Sequence, residues 1–236
     1  MLAANAIRAV KLGAPAIDLN FGCPAKTVNR HRGGSVLLDE PEVVHELVKT
    51  VRDAVPAHIP VSAKMRLGYM DRHFMLDNAH AIEDAGAAWV TVHARTKADG
   101  YTPPAFWDQL RPIREALKIN VIANGEIWNN ADAKQCRLES GCEDLMIGRG
   151  AVTIPDLTQC IRQNIDTPLL TWNELLTLQI RFLNGGYKKE MNMVGRYKQW
   201  LGMMSKHYPE AKALWDEVKR IKPLDDIILK LNASST

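Results

Sequence analysis

Aromatic residues make up only 6% of this 236-residue chain, and cysteines number four. Cys23, Cys136, Cys142 and Cys160 form no CxxC pair and no His/Cys cluster. Neither a zinc site nor a disulfide framework is implied, and no metal is expected. No run of about 18 apolar residues occurs, which removes the usual signal of a membrane-spanning helix. No signal peptide heads the chain, so a cytoplasmic protein with no membrane attachment is the expectation. Charge of one sign is lacking too: the net charge of +3 is too small to announce nucleic-acid binding. What is present is 46% hydrophobic residues, enough to bury one large domain and a small one.

The charge is unevenly spread. Residues 1–170 carry 19 Lys and Arg against 20 Asp and Glu, and residues 171–236 carry 11 against 7. A basic C-terminal segment beside a neutral body suits either an anionic partner or a solvated helical surface. Along the first part, strand patterns recur at Ala16–Asn20, Pro60–Met65, Trp89–His93, Asn120–Asn124 and Asp144–Gly148. Helical patterns separate them at Glu42–Val55, Leu76–Ala85, Trp107–Leu117 and Ala131–Ser140, after an opening helix at Leu2–Leu12. The spacing suits β/α units, and runs such as Val121-Ile122-Ala123 mark a parallel sheet covered on both faces. From residue 171 the strand rhythm stops. Trp172–Leu183, Val194–Lys206 and Tyr208–Ile221 read as amphipathic helices, followed by an apolar stretch at Ile227–Leu231. The expectation is an α/β domain over 1–170 followed by a small helical-bundle domain over 171–236.

The residues suited to chemistry follow the strands, where parallel α/β folds gather their sites. The first strand delivers Asn20-Phe21-Gly22-Cys23-Pro24, a thiol on a loop shaped by glycine and proline. Such a cysteine can simply pack a turn. An ordinary thiol, with a pKa near ~8.5, is mostly protonated at neutral pH and can serve as a general acid. Lys64 lies inside a strand among apolar neighbours, where it must face a polar mouth or a carboxylate. It suits a Schiff base or an anionic cofactor equally. His93 and Arg95 end the third strand. Asn124-Gly125-Glu126 and Gly148-Arg149-Gly150 follow the last two, and glycine turns there suit phosphate, with Arg149 as a fork-shaped cation. The loop after Cys23 carries Lys26, Arg30, His31 and Arg32, which either meet a phosphate backbone or solvate the loop.

Taken together, Asn20-Phe21-Gly22-Cys23-Pro24, Lys64-Met65-Arg66, His93-Ala94-Arg95-Thr96, Asn124-Gly125-Glu126 and Gly148-Arg149-Gly150 resemble the flavin-dependent tRNA-dihydrouridine synthases. Ala123-Asn124-Gly125-Glu126-Ile127-Trp128 and Arg196-Tyr197-Lys198-Gln199-Trp200-Leu201 are similar to the bacterial subfamily C, which modifies uridine 16. The resemblance spans essentially the whole chain. It implies a (β/α)8 TIM barrel, here incomplete with about five β/α units, and FMN across its mouth. Lys64, His93, Asn124, Gly125, Glu126, Gly148 and Arg149 would contact the cofactor, and NADPH would reduce it. Cys23 would protonate C5 of the uracil as hydride reaches C6. Asn20, Arg95 and Tyr101 would meet the substrate, and Arg196 and Lys198 would grip tRNA.

The chain departs from the family at Arg30-His31-Arg32, where many relatives have small residues. It also opens on a helix rather than on the family's first barrel units, which carry a Pro-Met loop and a glutamine against the flavin. By itself the 236-residue chain is therefore expected to hold FMN poorly and to be inactive. A monomer is expected. Two rivals remain: an FMN barrel oxidoreductase acting on a small pyrimidine, and a non-catalytic tRNA-binding fragment. The basic helical tail is what a small substrate would not require.

Overall fold

The computed structural model describes residues 1–185 and 190–233, the side chains of 190–192 aside. Two compact units emerge. Unit 1 comprises Met1–Ile127 and Asp132–Met146; unit 2 comprises Trp128–Ala131 and Ile147–Thr236.

Unit 1 opens with helix α1 (Leu2–Lys11), then strand β1 (Ile17–Asn20) and the single turn α2 (Lys26–Arg30). A 3-10 segment at Gly34–Asp39 leads into α3 (Pro41–Ala54) and β2 (Val61–Arg66). Then come α4 (Met75–Asp84), β3 (Trp89–His93), α5 (Leu110–Ala116), β4 (Asn120–Asn124), α6 (Asn130–Ser140) and β5 (Leu145–Met146). All four pairings are parallel, and the strands lie side by side in chain order, β1-β2-β3-β4-β5. There is no reversal of direction across the sheet. Helix α1 packs on β1 and α3, α3 on β2 and α4, and α4 on β3 and α5, so these helices form one layer rather than two.

Strand register explains the layer. Side chains alternate across a sheet, and one face holds Val61, Ala63, Met65, Val90, Val92, Val121 and Ala123, all fully buried. The other face is polar at the C-terminal ends. There Asn20 lies beside Lys64 and Lys64 beside Thr91; one level on, Arg66 lies beside His93 and His93 beside Asn124. Polar groups recur every second residue on neighbouring strands, and parallel register sets them in rows.

Two elements differ from their sequence patterns. The helix expected over Trp107–Leu117 divides into a 3-10 turn at Trp107–Gln109 and α5. Pro112 has no N–H to give the carbonyl four residues back, so it fits only the first turn of an α-helix. Strand β5 is only Leu145–Met146, because the chain turns at Gly148 into another helix.

Unit 2 contains α7 (Arg149–Thr153), α8 (Leu157–Gln163), α9 (Trp172–Asn184), α10 (Glu190–Met204), α11 (Pro209–Val218) and α12 (Leu224–Ala233). A capping box starts α9: the Thr171 hydroxyl accepts the Glu174 N–H, and the Glu174 carboxylate accepts the Thr171 N–H. Proline begins α11 at a position where its missing N–H costs nothing. Leu175, Leu176, Leu183, Tyr197, Leu201, Met204, Leu214, Ile227 and Leu231 close a core among α9–α12. No described helix is long and apolar enough to cross a membrane.

Candidate functional site

The loop after β1 is built around Cys23. The Asn20 side-chain oxygen accepts the Gly22 N–H at 2.8 Å, which turns the chain immediately after the strand. The Gly22 carbonyl accepts the Arg66 Nε–H at 2.9 Å. Cys23 itself is half-buried and in the reduced form. Its carbonyl takes three donors: the Ser35 N–H at 3.0 Å, the Ser35 hydroxyl at 2.9 Å and the Asn29 amide at 3.0 Å.

Gly34 closes the same loop with φ +68°, and a Cβ there would lie 2.7 Å from the Cys23 carbonyl oxygen and 2.9 Å from its Cβ. Gly34→Ala is therefore expected to destabilise the protein. The left-handed backbone alone costs about 1–2 kcal/mol, and the contact with Cys23 adds to it. A thermal melt checks this; a midpoint equal to that of the wild type would contradict the geometry.

Arg66, part of the Lys64-Met65-Arg66 motif but given no role by it, joins the loops after β1 and β3. It is 2% exposed, and besides Gly22 it donates to the Thr96 carbonyl at 2.9 Å and the Gly100 carbonyl at 3.2 Å. Its guanidinium lies 5.3 Å from the Tyr101 ring centroid. Burial lowers its pKa, Tyr101 and Asp99 oppose that shift, and Arg95 adds to it. The usable signal in the sequence was its alternation with Lys64, which puts both on one face.

Lys64 is half-buried, and its ammonium makes no hydrogen bond or ion pair among the described residues. Burial lowers its pKa, Arg66 lowers it further and Asp18 opposes. His93 is 6% exposed, and its ring lies 6.1 Å from that of Tyr101, which is itself exposed. Gly125, at φ +125°, is packed so closely that a Cβ would meet the His93 ring at 2.9 Å.

The β4 loop is held by its neighbours. The Trp107 indole N–H donates to the Gly125 carbonyl at 2.8 Å. Arg95 is fully buried, ion-paired with Glu126 at 3.0 Å, and its Nε–H donates to the Pro104 carbonyl at 3.0 Å. Its Nη2 makes no hydrogen bond among the described residues. Glu126 sits at φ +54°. The Asn124 amide donates to the Met146 carbonyl at 2.8 Å and so fastens β5 to the sheet. Within unit 1 the structure thus gathers Asn20, Cys23, Lys64, His93, Tyr101, Asn124, Gly125 and Glu126 at the strand ends. Arg95 lies beneath them as a buried tether. Lys26, Arg30, His31 and Arg32 are exposed, and Arg32 pairs with Glu40 at 2.7 Å.

Gly148 and Arg149 belong to unit 2, at the start of α7. Arg149 is exposed, with its guanidinium 5.1 Å from the Trp128 ring centroid. On α10, Arg196 is exposed and makes no hydrogen bond or ion pair among the described residues. Lys198 differs: its ammonium donates to the Lys219 carbonyl at 3.0 Å and the Ile221 carbonyl at 2.6 Å, capping the end of α11. No group of three or more His, Cys, Asp or Glu suited to a metal ion occurs among the described residues.

A family model described as dihydrouridine synthase matches residues 1–225. The tRNA-dihydrouridine(16) synthase of Shewanella oneidensis is 46% identical over 96% of this chain and 72% of its own length. Its counterpart in Pseudomonas syringae pv. tomato is 49% identical over 99% of this chain and 75% of its own. That of Neisseria meningitidis serogroup A is 47% identical over 98% and 72%. Among solved structures, a mandelate racemase/muconate lactonizing enzyme-like protein from Rubrobacter xylanophilus covers 66% of this chain and 40% of its own. At a TM-score of 0.46 and 22% identity, that likeness carries no inference.

Proposed function

This chain belongs to the dihydrouridine synthase family, and we propose that it reduces uridine 16 of tRNA to 5,6-dihydrouridine, with FMN as cofactor and NADPH as reductant. The observation that carries the proposal is a pair of polar rows at the strand ends, Asn20 and Lys64 in one and Arg66, His93 and Asn124 in the next, beside the loop of a half-buried thiol. The sequential strand order and the single helix layer support five units of a (β/α)8 barrel, in which such rows face the mouth. Helices α9–α12, with a core of their own, support a small helical-bundle domain over 171–236.

The residues present suit a flavin. Among the described residues the Lys64 ammonium has no hydrogen bond or ion pair, and the buried Arg95 Nη2 is an unused donor at the same strand ends. Both match an anionic or carbonyl-bearing ligand. Lys64, His93, Asn124, Gly125 and Glu126 would hold the group. FMN, when bound, supplies hydride chemistry to C6 of the uracil. As the C5–C6 double bond becomes single, C5 takes a proton, and the Cys23 thiol gives it. Asn20 holds the loop through its oxygen and keeps its amide hydrogens for the target base, which must be turned out of the folded tRNA to reach these rows. Tyr101 lies beside His93, where it can meet the same nucleotide. Arg196, exposed and without a hydrogen bond or ion pair among the described residues, suits a tRNA phosphate; Lys198 already serves two carbonyls and has one donor left. The protein acts as a cytoplasmic monomer on this reading.

Multiple-turnover NADPH oxidation without oxygen, by the flavin-loaded protein produced from the chromosomal gene, tests the substrate class. It should require unmodified tRNA and should not respond to free uracil, uridine or orotate. Equal oxidation with a free pyrimidine would overturn the tRNA reading in favour of a small-molecule oxidoreductase.

Flavin binding should also depend on pH through Lys64. Its pKa is lowered in the ligand-free protein, and an anion beside it favours the protonated form. Binding therefore takes up a proton at pH values above the lowered pKa, and affinity falls as the pH rises through it. Lys64→Met should weaken binding at neutral pH and flatten that alkaline limb in a fluorescence titration. An unchanged limb in the variant would assign the titration to another group.

A further inference from the structure

Resting on the reading of Cys23 as the acid, we propose that Asn29 and Ser35 are positioning residues that hold its thiol in one orientation. A carbonyl oxygen offers two lone pairs, yet that of Cys23 takes three donors, two from Ser35 and one from Asn29. The donors are themselves fixed. Asn29 is 9% exposed, and its amide also donates to the Gly33 carbonyl at 2.8 Å. Ser35 is fully buried, and its hydroxyl lies 3.3 Å from the Asn29 side-chain oxygen.

The side-chain hydrogen bonds of both residues stay within the loop of Cys23. What they reach is the backbone of Cys23. On the other side, Arg66 holds the carbonyl of Gly22, so the peptide carbonyls of both Gly22 and Cys23 are pinned. A side chain on a backbone fixed in this way has only its own rotamers left. Proton donation to C5 needs that restriction, since a displacement on the order of 1 Å can cost about 100-fold in rate. A structural role alone would call for no more than the one or two bonds that satisfy a buried carbonyl.

The test uses Ser35→Ala and Asn29→Leu, each removing a donor with little change in volume, and reads the rate at which iodoacetamide alkylates Cys23, followed on its own peptide by mass spectrometry. Cys136, Cys142 and Cys160 are buried and serve as internal controls. The expected result is a Cys23 rate at least fivefold above the wild type in both variants, with the other three cysteines unchanged. Dihydrouridine in tRNA from strains carrying the same substitutions should fall by about tenfold or more. A Cys23 rate equal to the wild type in both variants overturns the proposal. Should either variant fail to fold, hydrogen exchange of the wild-type Ser35 amide decides: protection from exchange supports the clamp, and exchange at the rate of an open loop overturns it. Wild-type levels of dihydrouridine in a Cys23→Ala strain would instead remove the acid reading, leaving the alkylation result to stand on its own.

Discussion

Replacing Cys23 by alanine in the chromosomal gene is expected to lower dihydrouridine formation by about 10²–10⁴-fold, the usual worth of a positioned general acid. Flavin retention should be unchanged, because the thiol lies on the β1 loop and no cofactor contact is assigned to it. None of the other cysteines is placed to take over. Cys136, Cys142 and Cys160 are buried, burial pushes the Cys136 thiol up to about 12, and the same cause raises the other two. Cys23 is the half-buried one, at the end of a strand and beside the polar rows. Dihydrouridine measured by nucleoside mass spectrometry in bulk tRNA checks the result. A variant strain with normal dihydrouridine would assign the proton to a different group.

Arg95→Met is expected to cost about 3–5 kcal/mol, the range for breaking a buried ion pair from one side. The guanidinium is wholly buried, and Met fills the stem's volume without its donors. Two groups lose a bond to Arg95 at once: the Glu126 carboxylate, whose side chain is 14% exposed, and the Pro104 carbonyl. Both lie in loops that depend on Arg95 for their place, and Glu126 sits in the left-handed region where a non-glycine backbone needs outside support. For a chain of this size the melting midpoint should fall by about 6–20 °C. A midpoint within about 2 °C of the wild type would mean that the pair adds nothing to stability.

Much of this arrangement was legible in the sequence, for identifiable reasons. Trp89–His93 and Asn120–Asn124 begin and end as read, because apolar strands bounded by polar residues leave little choice of register. Placing Asn20, Lys64, His93 and Asn124 at one end of the sheet followed from parallel β/α order. The face they share did not, since facing depends on register between strands, and only the pairings set Lys64 beside Asn20 and His93 beside Arg66. The helices α2, α7 and α8, of five to seven residues, are too short to establish a period. Asn29 and Ser35 read as ordinary polar loop residues, because what distinguishes them is burial against a carbonyl six and twelve positions away. By the sequence resemblance Arg95 is a cation that meets the substrate and Lys198 one that grips tRNA. In the structure the first is sealed inside unit 1 and the second caps a helix in unit 2.

The measurement that bears most directly on the account is dihydrouridine mapped by position in tRNA from a strain lacking this gene. Loss at position 16 alone is expected, restored when the gene is returned. Dihydrouridine that persists at position 16, or disappears at another position instead, would contradict it.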